Sequence, residues 1–218
     1  FNNKIFCFST ITSMIIMLSM VGPALLIPLY VQNALGLSAL LSGLVIMPGA
    51  IINGIMSVFT GKFYDKYGPR PLIFTGFILL ISCTFLLCFL KVDTSYTYLI
   101  VIYAIRMFAV SLLMMPINTT GINALKTENI SHGTAIMNFG RVMAGSLGTA
   151  LMVTFMSIGA QWVVSSSNHA SKEMIQRQSV AAGVDVSFAL VTVFVIIAFV
   201  LALFIKEPNH STHNSRKV

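Results

Sequence analysis

The sequence predicts an all-α membrane protein, a polytopic bundle of six transmembrane helices. Of its 218 residues 56% are hydrophobic and 9% charged, and its mean hydropathy is +0.89. Such a mixture is too apolar to cover the surface of a water-soluble domain. Six segments supply the roughly 20 mostly apolar residues that span about 30 Å of hydrocarbon. A closed β-barrel is the other spanning solution, but runs such as FALVTVFVIIAFVLALFI, residues 188–205, show no strand alternation.

The first segment, Ile5–Val31, contains Pro23 and Pro28. A turn through Gly36-Leu37-Ser38 leads to the second, Ala39–Thr60, with Pro48-Gly49 and Asn53. The third, Pro71–Leu90, begins on a residue whose missing N–H costs little in a first helical turn. The fourth, Tyr98–Ala124, carries Pro116 and one charge, Arg106. The fifth, Gly133–Ile158, is rich in small residues, and the sixth, Val186–Ile205, is apolar throughout. Prolines 23, 28, 48 and 116 interrupt their helices, each freeing a backbone carbonyl and inviting a bend. Gly159–Asp185 reads as a long polar loop in which KEMIQRQ forms a short amphipathic turn at the membrane surface. Residues 206–218, with Pro208, His210 and His213, read as a disordered tail, not a metal site.

The net charge of +7 is spread over short connections, which speaks for orientation and against a nucleic-acid partner. Lys4, Lys62, Lys66, Arg70, Lys126, Arg141, Lys206, Arg216 and Lys217 fall on one side of the bilayer; Lys91, Lys172 and Arg177 fall on the other. The first side is expected to be cytoplasmic, with both termini there, in a cell membrane of bacterial type. On that side N-x-S/T matches at Asn129 and Asn209 have no glycosylation value, and Asn118 lies within a helix. The chain opens on Phe1, shows no charged n-region and cleavage site ahead of the first segment, and reads as part of something longer. Cys7, Cys83 and Cys88 all lie in apolar helices and read as buried small hydrophobes, not a disulfide framework.

The most polar stretch between two spans is TGKFYDKYGPRPLIFTG, residues 60–76. It reads as a tight cytoplasmic hairpin. Gly61 and Gly68 permit backbone conformations and approaches that a Cβ blocks. Asp65 stands about one turn before the third helix, near the positive end of its dipole, where a carboxylate caps amides or pairs with a base. Lys66 and Arg70 hold the hairpin on the basic side.

This hairpin resembles the G-x-x-x-D-R-x-G-R-[KR] signature of the major facilitator superfamily. Gly61, Asp65, Gly68 and Arg70 match it, while Lys66 replaces the usual Arg and Pro69 the first of the closing basic pair. Leu25–Ala50, with Pro28, Ser42-Gly43 and Pro48-Gly49, resembles the fourteen-helix drug-proton antiporters of that superfamily. So does NFGRVMAGSLGTALM, residues 138–152, with Asn138, Arg141, Gly145 and Gly148. The resemblance covers nearly the whole chain and assigns it to the C-terminal six-helix half. It implies proton-driven export of drug-like amphiphiles by alternating access, with the N-terminal half of the same chain, the lipid bilayer, a small-molecule substrate and protons as partners. It implies no cofactor beyond the proton gradient.

Residues for that mechanism follow from the bilayer as solvent. Arg106 lies about 12 Å inside its helix, too deep to snorkel, and is expected to face a bundle interior or a watery path. Asn138 and Arg141, three apart, share a helix face, and Arg141 is expected to pair with Asp65 or nearby carbonyls when the cytoplasmic gate closes. Gly140, Ala144 and Gly148, with Gly145 beside them, form a small-residue stripe for close helix packing. Pro48, Gly49 and Asn53 are expected near the substrate path. The 13 Met and 16 Phe residues supply soft cavity walls. Asp65, Asp93, Glu128, Glu173, Asp185 and Glu207 all read as lying in loops or at helix ends, so the coupling acid is expected in the other half. No cluster of His, Asp, Glu, Ser or Cys at one depth suggests an enzyme. A carrier for one metabolite, sugar or siderophore, and a non-transporting scaffold subunit, are the competing readings.

Overall fold

A computed structural model describes residues 3–166 and 172–204. Six helices follow one another: α1 Lys4–Asn33, α2 Ala39–Tyr67, α3 Pro69–Leu86, α4 Tyr96–Asn123, α5 Ile130–Ser166 and α6 Lys172–Leu203. All six contain windows long and apolar enough to cross a membrane, and there is no strand among the described residues. The 206–218 tail lies outside the described residues, as do Ile205 and residues 167–171.

Local chemistry sets the ends. The Asn3 side chain accepts from the Ile5 and Phe6 amides at 3.0 and 3.4 Å and starts α1. Ser38 caps α2 through the Leu41 amide at 3.4 Å. Helices α1, α2 and α4 run unbroken through Pro23, Pro28, Pro48 and Pro116, so these prolines remove hydrogen bonds without ending an element.

Helices α2, α4, α1 and α5 stand side by side in that order, as their contacts show, with α3 behind α4 and α6 behind α1 and α5. One apolar cluster, with Ile16, Phe77, Leu113, Ile117 and Val195, fills the half nearer Lys4 and Asn123. A second, with Tyr30, Leu87, Leu99, Tyr103 and Phe188, fills the other half. At that far end the Asp185 carboxylate accepts from the Leu90 amide at 3.0 Å, and the Tyr30 hydroxyl donates to the Lys91 carbonyl at 2.5 Å.

Four sequence expectations change. Residues 61–67 are not a hairpin loop but the last two turns of α2; the reversal is made at Gly68 alone, with φ +77°. Asp65 therefore caps nothing: the residue before α3 is Gly68, and no side chain bonds that helix start. Most of 159–185 is helix, not loop. At 37 and 32 residues, α5 and α6 are about 55 and 48 Å long, well beyond the bilayer's hydrocarbon. The polar KEMIQRQ stretch continues α6 because its spacing suits a helix as well as a surface turn. Asp185 is consequently inside α6 and not at its start, although it lies level with the α3–α4 connection.

Candidate functional site

Arg106 is fully buried between the two apolar clusters. Its Nη2 donates to the carbonyl of Ser19, and its other guanidinium nitrogens, Nε and Nη1, have no partner. The choice of acceptor has a cause four residues along α1. Pro23 has no N–H, so the Ser19 carbonyl loses its intrahelical donor, and the guanidinium takes that place. Arg106 thus braces α4 to the weakened turn of α1 and does not point into an open path. The carbonyl regains a donor away from water, while two of the three guanidinium nitrogens stay without a partner among the described residues.

Beside this brace, α2 approaches α4 closely. A Cβ on Gly49 would stand 2.7 Å from Cδ1 of Tyr103 and 3.0 Å from Cγ of Met107, so the pair can meet only because position 49 has none. One turn on, Asn53 Nδ2 donates to the Met107 carbonyl at 3.2 Å. On the other flank Gly140, Gly145 and Gly148 of α5 lie against Met14, Met17, Leu18 and Val21 of α1. The small-residue stripe is a packing seam.

Between the flanks lies a half-open groove of about 250 Å³. Met17 and Met20 of α1 form part of its floor with Val110, Ser111, Met114 and Met115 of α4. Asn53 and Ser57 of α2 border one side and Arg141 of α5 the other. The Ser57 hydroxyl donates to its own helix at the Gly54 carbonyl, 2.7 Å, and Arg141 donates to Asn138 Oδ1 at 2.5 Å. No carboxylate among the described residues lines the groove. Among the described residues no three His, Cys, Asp or Glu gather as metal ligands. A second cavity, of about 450 Å³, opens near Asn3, Lys126 and His132 and contains none of the expected signature, gate or path residues.

The structure sets Asn53 and Arg141 on opposite borders of one groove, with Asn138 bonded to Arg141, and sets the signature residues apart. Pro48 is half-buried on α2, and Gly49 is covered by Tyr103 instead of lining the groove. Gly61 faces the tip of Met115. Asp65 is exposed on α2, Lys66 lies over the Tyr67 ring at 5.1 Å, and Arg70 lies beside Phe74 and Ala202 on the α3–α6 side. Asp65 makes no contact with Arg141, whose partner is Asn138. The sequence reading missed Ser57, Ser111 and Ser19; the rule that a proline frees the carbonyl four residues earlier marks the last as an acceptor in need of a donor without naming that donor.

Comparison with known proteins agrees with this architecture. Residues 1–149 match the family model described as Major Facilitator Superfamily. The lincomycin resistance protein LmrB of Listeria monocytogenes is 35% identical over 207 residues, covering 95% of this chain and 44% of that protein. An uncharacterized MFS-type transporter of Bacillus subtilis, YhcA, is 44% identical over 154 residues, 71% of this chain and 29% of the relative. The multidrug export protein EmrB of Escherichia coli is 29% identical over 134 residues, 61% and 26% of the two chains. The chain spans less than half the length of these relatives. Six helices apolar enough to cross a membrane, and a family match covering most of the chain, make this a multi-pass membrane protein of the major facilitator superfamily.

Proposed function

We propose that the chain forms one half of a proton-driven exporter of drug-like amphiphiles that works by alternating access. The observation that carries this reading is the groove itself. It combines four methionine side chains, which adapt to varied apolar shapes, with a few polar groups. It lies between two helices whose outward faces nothing among the described residues covers. Relatives named for lincomycin resistance and multidrug export support the substrate class. The N-terminal half of such a protein would close the groove and supply the proton-accepting acid, since this groove has none.

In this reading the end bearing Lys4, Lys62 and Lys126 faces the cytoplasm, as the basic residues favour. Arg106 holds α1 and α4 together as one body while the halves rock. Arg141 exchanges Asn138 for Asp65 in a second conformation that closes the cytoplasmic end; if Asp65→Asn and Arg141→Gln both transport normally, that exchange is wrong.

The test is accumulation of a lipophilic dye in efflux-deficient bacteria expressing the complete gene, with and without a protonophore. Lower accumulation that the protonophore abolishes is the expected result. Unchanged accumulation, with the protein demonstrably in the membrane, would move the reading to a carrier of one narrow substrate.

A further inference from the structure

The groove's polarity is one-sided, and that points to the charge of what it holds. Arg141 is the only ionisable side chain among its lining residues. A guanidinium carries five N–H donors, and the single hydrogen bond of Arg141 to Asn138 leaves most of them unused. The other polar groups are partly engaged by the protein: Asn53 spends one of its two amide hydrogens on the Met107 carbonyl, Ser57 donates to Gly54, and the Ser111 hydroxyl lies 3.4 Å from that of Thr60. Along α2 toward the basic end follow Lys62, Asp65 and Lys66, which add net positive charge.

We propose that this half binds the anionic or acceptor-bearing end of an amphiphile, a carboxylate, sulfonate or phenolate held by Arg141 with its apolar body on Met17, Met20 and Met114. The proposal rests on the exporter reading and narrows it. A fork of N–H donors matches a planar or tetrahedral oxyanion, and methionine walls accept its ring system without demanding one shape. In this half a cationic amphiphile meets like charge, and the groove's own lining residues include no carboxylate to offset it.

Two fluorescent probes of opposite charge decide it: anilinonaphthalene sulfonate and ethidium, each titrated onto the full-length protein in nanodiscs and followed for export from cells. Wild type is expected to bind the sulfonate about ten-fold more tightly than ethidium, the scale of one charge-assisted contact. Arg141→Gln should erase that preference and Arg141→Lys should keep part of it. Because a misfolded variant would lose both probes, residual ethidium binding serves as the folding control, and a monodisperse elution profile as a second. Equal wild-type affinities, or a sulfonate preference that survives Arg141→Gln, would overturn the proposal. Export of both probes without preference would sink it while leaving the exporter reading standing. A binding preference with no export of either probe would do the reverse.

Discussion

Helices α4 and α2 adjoin along much of their length, yet 67% of the most apolar stretch of α4 is buried against 17% for α2. The same contrast separates α1 from α5, at 50% and 28%. Exposure to lipid alone does not account for the flanks. On α6, which does read as lipid-facing, the exposed residues from Ala189 to Leu203 are all apolar, among them Val193, Ile196, Ile197 and Val200. On α5 the exposed residues include Asn138, Ser146, Thr154 and Ser157, and on α2 Gly43, Gly54 and Ser57. The inner pair is completed by this chain's own contacts, whereas the flanks show surface suited to polar or close-packed company. Burial is concentrated at the centre, and under the proposed function the edges are the faces that meet the rest of the transporter.

The strongest way to break that division is at its centre. Arg106→Ala removes a large buried side chain and leaves the Ser19 carbonyl without a donor, an expected loss of about 3–5 kcal/mol, read by thermal melting in detergent. In a Pro23→Ala background, where the backbone N–H returns, the same change should cost at least about 1 kcal/mol less. Gly49→Val drives a branched side chain into Tyr103 and should cost about 1–3 kcal/mol, with part recovered by Tyr103→Leu. At the far end Asp185→Asn keeps an oxygen for the Leu90 amide, so its loss in the same melt should stay below about 1 kcal/mol. The smallest stability effect sharpens the comparison most. A Cβ at Gly54 meets nothing within 4 Å, so Gly54→Leu should melt within about 0.5 kcal/mol of wild type yet lose dye export in cells. Retained export would make that face of α2 an ordinary lipid surface.

Hydropathy made the six spans legible because each meets the bilayer's length requirement by itself. It could not show where helices end beyond the membrane. The 61–67 stretch is polar and was expected to turn, but only Gly68 adopts the positive φ that a reversal needs. The α5–α6 overhang was hidden for the same reason, since polar residues outside hydrocarbon are equally compatible with helix and loop. Within the site, Asn138–Arg141 followed from three-residue spacing on one helix. Asn53–Met107 and Arg106–Ser19 depend on how α2 and α1 are registered against α4, which no local pattern encodes. The buried position of Arg106 was legible; its partner was not.

The bond between Arg106 and the carbonyl freed by Pro23 also has a consequence for inheritance. Proline at 23 without arginine at 106 strands a carbonyl, and arginine without proline strands a charge, so each residue makes the other's loss costly. Positions on two different helices are thus passed on as a single character. In a lineage that abandons one, the other is expected to disappear soon after, and the two columns of a family alignment should change together.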